Sequence, residues 1–187
     1  RLAGELAAAL AGSGRPVLRA SIDGFHNPRP VRYRLGPDSP EGYYADSFDL
    51  PALRRLLLDP LGSGGDRRVA TAIFDYRADR PVESPLATAA PDAILLFDGV
   101  FLQRPELAGA WDLVLFVKVS FEIVLARAVE RDAARLGSPA AVEARYQARY
   151  IPAQQRYLAE HSPEARADLV IVNDDPEQPF VIDRRCR

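Results

Sequence analysis

Four short apolar runs set the limits on this chain: residues 17–22, 93–97, 113–119 and 168–172. Each is too short for a buried helix and rich in branched side chains, and stretches with helical spacing separate them. Near-continuous apolar strands alternating with helices are what a mostly parallel sheet covered on both faces demands. Two of the runs end alike. Residues 17–22 lead into Asp23-Gly24-Phe25-His26, and residues 93–97 lead into Asp98-Gly99. Open α/β sheets bind ligands in the crevice at the carboxyl ends of their strands. Two carboxylates there suit the handling of a hydroxyl, a metal ion, or both.

The helical stretches can be placed from pattern. Leu2, Leu6 and Leu10 share a face over residues 2–10. Asp49 is a plausible cap and Pro51 a first-turn residue for a helix reaching about Leu58. Phe121–Leu136 is amphipathic, and residues 139–160 form a second helical stretch with a bend expected at Pro152. Residues 27–44 read as an irregular excursion, 69–76 as a short strand and 77–91 as a loop.

The 187 residues suit one domain, 1–187, with 121–150 as a candidate lid. A formal net charge of -2 gives no support for a nucleic-acid or membrane surface. No apolar run approaches the roughly 18 residues that span a bilayer. The opening residues lack the layout of a signal peptide. One cysteine, Cys186, excludes an internal disulfide framework and a cysteine-based zinc site, and is compatible with a reducing cytoplasm. The expected partner is a small-molecule substrate, with a homo-oligomer left open. Arginine supplies all but one of the 24 basic residues, a bias that fits genome composition; Lys118 is the exception.

Each candidate residue carries two readings. Asp23 can accept or orient the proton of a substrate hydroxyl, or cap a turn. Asp98 can hold Mg²⁺ directly or through water, or form an ordinary Asp-Gly turn. Phe48-Asp49 and Phe74-Asp75-Tyr76 pair aromatics, which stack on flat bases, with carboxylates, which take sugar hydroxyls; the same residues serve equally as core and cap. Arg127, Arg131 and Arg135 stand four apart and make one cationic stripe, suited to phosphoryl oxygens or to a solvated face paired with Glu130 and Asp132. Arg145 and Arg149 extend that basic surface. His26 follows Asp23 closely enough to meet substrate; neither histidine has metal-ligand company. There is no Gly-x-Ser-x-Gly elbow.

The order of these pieces resembles the uridine kinase family of P-loop kinases, from Arg1 to about Asn173. The order is strand-Asp-Gly-Phe, Phe-Asp before a helix, Phe-Asp-Tyr, strand-Asp-Gly-Val, strand and Arg-rich helix with Glu130-Arg131-Asp132, then Ala167-Asp168-Leu169-Val170-Ile171. The resemblance implies an α/β, P-loop NTPase-like three-layer sandwich with a mostly parallel sheet. It also implies an ATP- and Mg²⁺-dependent phosphotransferase. Asp23 matches the residue that activates the acceptor hydroxyl, and Asp49 the acidic residue of the Phe/Tyr-Asp-x-Pro segment that binds the nucleoside sugar. Tyr76 falls in the acceptor segment. Phe25, His26, Phe48, Asp75 and Arg80 complete the candidate substrate-binding set. Asp98 stands for the glutamate of a Phe-Glu-Gly motif, and Arg127, Arg131 and Arg135 for lid arginines. The implied acceptor is a nucleoside such as uridine or cytidine. Asp-Gly-Phe-His also resembles sugar and pantothenate kinase relatives, and a degenerate, non-catalytic nucleotide-binding protein is the reading from another class.

The family's Gly-x-x-x-x-Gly-Lys-[Ser/Thr] loop, whose amides and lysine cradle phosphates, does not occur in these residues. The expectation is that the first strand and this loop precede Arg1. Sequencing the encoding gene upstream of Arg1 tests it: a Gly-Lys-Ser/Thr loop is expected there, and a start codon directly before Arg1 would refute it.

Overall fold

A computed structural model describes residues 2–83 and 85–185; Cys186 lies outside the described residues. The chain falls into two compact units, Arg1–Arg34 with Ala45–Ala110, and Leu35–Tyr44 with Trp111–Arg187.

The first unit is built on two parallel strands, β1 (Val17–Ser21) and β2 (Ile94–Asp98), paired from Val17 opposite Ile94 to Ser21 opposite Asp98. Helix α1 (Leu2–Ala11) packs against both strands, with Leu2, Leu6 and Leu10 partly covered and Glu5, Ala8 and Ala9 exposed, as the spacing requires. Beyond β1 the chain tightens into a 3₁₀ turn, Ile22–Phe25, whose Ile22 and Phe25 are buried. Two glycines let backbones approach around this turn. A Cβ on Gly24 would lie 2.9 Å from Ala72 Cβ, and one on Gly99 only 2.3 Å from Ile22 Cγ2.

Helix α2 runs through Leu50–Leu53, a π-helical turn Arg54–Leu58, and Asp59–Leu61. Asp49 caps it, its Oδ1 accepting from Ala52 N at 2.8 Å. The π turn has a local cause. Pro60 has no N–H for the Leu56 carbonyl four residues back, and its ring crowds that carbonyl. Ala70 N donates to Leu56 O instead, at 2.9 Å. Leu53 and Leu57 are completely buried on the inner face.

Two expectations need correction here. Residues 27–44 are not wholly irregular: they contain the helices Arg29–Arg32 and Pro40–Asp46. Pro30 and Pro40, which read as breakers, occupy first-turn positions where no intrahelical N–H is needed. Residues 69–76 are not one strand. Arg68–Val69 pairs antiparallel with Ala87–Thr88, and Phe74–Asp75 with Arg80–Pro81. Between them Ala70 N goes to Leu56 O and Ile73 N to Gly24 O (2.8 Å), so other segments take the hydrogen bonds a continuous ladder would use.

In the second unit β3 (Leu115–Lys118) lies parallel to β4 (Leu169–Val172), and β5 (Phe180–Asp183) adds an antiparallel edge that the sequence pattern did not suggest. Helix α3 (Phe121–Leu136) ends at Gly137, left-handed at φ 98°; α4 follows as Pro139–Arg145, a π turn Tyr146–Tyr150, and Ile151–His161. A π turn, Tyr146–Tyr150, lies just ahead of Pro152, where the sequence suggests a bend. Ala128, Val142 and Tyr146 form the buried seam between α3 and α4. Among the described residues no helix is long and apolar enough to cross a membrane.

Arg145 and Arg149 do not extend an open basic surface. The buried Arg149 guanidinium donates to the carbonyls of Pro37 (3.1 Å) and Ser39 (3.0 Å), and Arg145 pairs with Asp38 at 3.1 Å. With the Arg156–Glu41 pair and the Tyr44 Oη···His161 Nε2 contact of 2.6 Å, they fasten segment 35–44 to α4.

Asp132 joins α3 to α4 by charge. Arg131 donates to it at 2.7 Å and Arg135 at 3.3 Å, and Arg131 also donates to Tyr146 Oη at 2.8 Å. The Arg131 guanidinium holds the Asp132 carboxyl below its ordinary 3.8, with Arg135 adding to this. A depressed folded-state pKa contributes stability above the ordinary carboxylate value and loses it as pH falls through the folded one. Asp132→Asn should therefore cost about 1–3 kcal/mol at pH 7, the range for a lost charge-assisted bond. In denaturant titrations the deficit should shrink as pH drops below about 4.

Candidate active site

The carboxyl ends of β1 and β2 form the candidate site in the first unit. Their register sets Ser21 beside Asp98, with Ser21 Oγ donating to Asp98 Oδ2 at 3.3 Å. Ser21 Oγ also accepts from Asp23 N at 3.3 Å, which orients the 3₁₀ turn that carries Asp23. The Asp23 side chain is 56% exposed, yet protein atoms crowd its base. That crowding raises its pKa above 3.8. The Asp98 carboxylate pushes the same way, while His26 and Arg77 pull it down. A carboxylate made more basic, one face open to solvent, is suited to taking a proton from a hydroxyl.

Aromatic rings wall the turn. His26 Nδ1 lies 3.0 Å from Asp23 O and 3.9 Å from Asp23 Oδ1. A carbonyl only accepts, so Nδ1 bears the proton in the neutral ring and Nε2 is its acceptor. The ring stacks on Tyr76 at 4.7 Å and meets Phe48 edge-on at 4.6 Å. Asn27 N to Ser47 O (2.9 Å) and Asp49 N to Phe25 O (2.8 Å) hold these segments together. Phe48 in turn meets Phe101 at 6.5 Å; Phe101 is buried with φ 62°, a strained backbone for a phenylalanine.

The expected substrate-binding residues take different places. Phe25 is fully enclosed, 6.5 Å from Phe97, so its side chain belongs to the core. Phe48 is buried beneath His26. The Asp49 carboxylate is engaged in the α2 cap. Asp75 accepts from the amides of Arg77 (2.9 Å) and Ala78 (3.1 Å), which hold its carboxyl below 3.8. His26, Tyr76 and Asp75 share one neighbourhood with Asp23, with Arg80 paired opposite Asp75 across the short antiparallel ladder.

Three residues were missed. Ser21 Oγ donates to the Asp98 carboxylate and accepts from the Asp23 amide. Arg77 donates to Tyr76 Oη at 3.3 Å and lies over that ring at 5.7 Å. Arg32 is buried and ties the turn together, donating to Asn27 O (3.2 Å), Tyr76 O (3.1 Å) and Asp79 Oδ1 (3.0 Å). Ser21 stood in plain view at a strand end; the two arginines carried no pattern that separates them from their neighbours.

In the second unit the three stripe arginines divide. Arg127 donates to the Asn173 and Asp174 carbonyls at 2.9 Å each, whereas Arg131 and Arg135 share Asp132 and remain 65% and 49% exposed.

The oxygen donors Ser21, Asp98 and Asp23 fit Mg²⁺, a hard cation that keeps most of its water. Among the described residues no cluster of three or more histidines, cysteines or carboxylates forms a fuller metal cage. A triphosphate needs a run of amides with a lysine. The one lysine here, Lys118, is paired with Glu164 at 3.1 Å, so these residues do not supply such a cradle.

No protein-family model matches the chain, and no curated protein matches it in sequence. Solved structures do. The chain is similar to a "possible uridine kinase" from Bacillus stearothermophilus, with TM-score 0.69 and 24% identity over 90% of this chain and 79% of that one. It is similar to a "putative fructose transport system kinase" from Silicibacter sp. TM1040, with TM-score 0.64 and 28% identity over 84% of this chain and 77% of that one. A third likeness, to the YGR205w protein, has TM-score 0.59 and 13% identity over 97% of this chain and 84% of that one. The chain has the fold of the uridine kinase-like P-loop kinases.

Proposed function

We propose that the protein is an ATP- and Mg²⁺-dependent kinase that phosphorylates a hydroxyl of a small carbohydrate-like molecule, a nucleoside or a sugar. The observation that carries this reading is Asp23: a partly open carboxylate with a raised pKa, at a strand end beside a second carboxylate, walled by His26 and Tyr76. The likeness to a uridine kinase and to a sugar-system kinase supports both acceptor classes. Bound nucleotide supplies the phosphoryl group. Asp23 accepts the acceptor's O–H proton as that oxygen attacks, and Ser21 and Asp98 offer oxygens to the metal. Arg131 and Arg135, 65% and 49% exposed while paired with Asp132, are the candidate lid residues for the growing charge. Incubating the full-length protein with ATP–Mg²⁺ and uridine, cytidine, simple sugars or pantothenate tests the reading. ADP release should require an acceptor; nucleotide binding with no acceptor-dependent release would mark a non-catalytic binding protein.

Asp23→Asn should separate rate from stability. A positioned base is worth roughly 10²–10⁴-fold, so kcat should fall by that order. The raised pKa means the ionised group disfavours the folded state above the ordinary carboxylate value. The neutral amide should therefore leave Tm unchanged or higher at pH 7. Near-normal turnover would reduce Asp23 to a turn residue.

For the lid, saturating ATP–Mg²⁺ should slow hydrogen exchange across residues 131–146, and Arg131→Ala should lower kcat. Unchanged exchange together with full activity would leave these arginines to their structural link with Asp132.

A further inference from the structure

The outer edge of β5 is open: among the described residues no strand pairs with it. Its inner edge belongs to β4. Arg184 N donates to Asp168 O at 2.9 Å, and the register sets Ile182 opposite Val170 and Phe180 opposite Val172. Hydrogen-bonded and non-hydrogen-bonded pairs alternate along an antiparallel ladder. Phe180, Ile182 and Arg184 therefore turn their N–H and C=O groups to β4, and Val181 and Asp183 turn theirs outward.

Sheet edges are usually blunted by lysine, proline or a bulge. The centre of β5 has none of these. Phe180, Val181 and Ile182 follow one another and all three are exposed, while Pro179 lies just outside the strand. Ile182 also ends a row that crosses the sheet from Phe116 through the fully buried Val170. An apolar row thus reaches the open edge and stops in solvent.

We propose that β5 pairs antiparallel with β5 of a second copy of this chain, about a twofold axis at Ile182. Centred there, Val181 of each copy exchanges both its outward bonds with Asp183 of the other, and no donor is asked of Pro179. The two Ile182 side chains meet in a non-hydrogen-bonded pair, where Cα atoms stand about 4.5 Å apart. The Phe116–Val170–Ile182 row then runs on into its symmetry mate. Charge sets the direction of pairing. Asp174, Asp175 and Glu177 precede the strand, whereas Arg184, Arg185 and Arg187 follow its centre. An antiparallel pair brings the acidic end of each copy to the basic end of the other, and a parallel pair would set like charges together. A second copy carries both the apolar row and the charge order that this edge requires. The contact is small, so the dimer is weak and depends on concentration. Its residues lie in the second unit, and its test needs no substrate.

Sedimentation velocity of the full-length protein over a concentration series should show the wild type passing from monomer to dimer in the micromolar range. Val181→Pro removes an outward donor and leaves the ladder to β4 its bonds, so it should stay monomeric with unchanged secondary structure. In a Cys186→Ser background, mild oxidation should link Ile182→Cys to its own copy, because the facing Cα atoms stand within disulfide range. Phe180→Cys, which faces Arg184 of the other copy, should not be linked. A wild type still monomeric at about 0.5 mM, well above the range of weak specific complexes, would overturn the proposal. So would a dimer that survives Val181→Pro, or cross-linking through residue 180 as fast as through residue 182. If Val181→Pro fails to fold, the Ile182→Cys and Phe180→Cys comparison decides: preferential linkage at residue 182 upholds the pairing, and its absence overturns it.

Discussion

Parallel pairing of β1 with β2 is the constraint from which the site follows. The register puts Ser21 level with Asp98, so two strand ends arrive together and the 3₁₀ turn starts from a fixed point. Two close approaches keep it there. Gly99 allows Ile22 to lie where any side chain would collide, and Gly24 allows residues 71–73 to run against the turn, with Ile73 N on Gly24 O. Burial of Ile22 and Phe25 anchors the turn from below. Asp23 is thus held by backbone geometry and core packing, and among the described residues its carboxylate has no ion-pair partner other than His26.

Proline and arginine do much of the remaining shaping. Pro60 and Pro152 each stand two residues beyond a π turn, and in α2 the carbonyl that Pro60 cannot serve is used to hold Ala70. A residue that would break a helix here links it to a neighbouring segment. Arginine takes the part that mixed polar residues often play, because its five donors can satisfy several carbonyls at once. Arg32 and Arg149 are both buried, and both clasp carbonyls of irregular chain that have no ladder of their own.

What could be read from the sequence divides along this line. The four apolar strands, α1 and α3 emerged because periodicity and burial are local signals; Phe121–Leu136 matches the pattern to the residue. The placement of Asp23 and Asp98 was legible because the two apolar runs lead directly into them. The edge strand Phe180–Asp183 was not: three apolar residues between Pro179 and Asp183 look like loop, and all four strand positions are exposed. Nor were the roles of Arg32, Arg77 and Arg149, since each depends on carbonyls or rings brought near only by folding. The helix cap at Asp49 was visible beside its sugar-binding reading, and its bond to Ala52 N uses one carboxylate oxygen, Oδ1.

The electrostatics around Asp23 are a balance of opposed effects. Burial and Asp98 make it more basic, which favours proton capture but lowers the fraction ionised; His26 and Arg77 restrain the shift. An acceptor carboxylate works best when its pKa rises only far enough to strengthen the base without protonating it at the working pH. The Asp98 carboxylate opposes ionisation of Asp23, so a cation held by these oxygens would lower the basicity of Asp23, which would tie the readiness of the base to the occupancy of its neighbour.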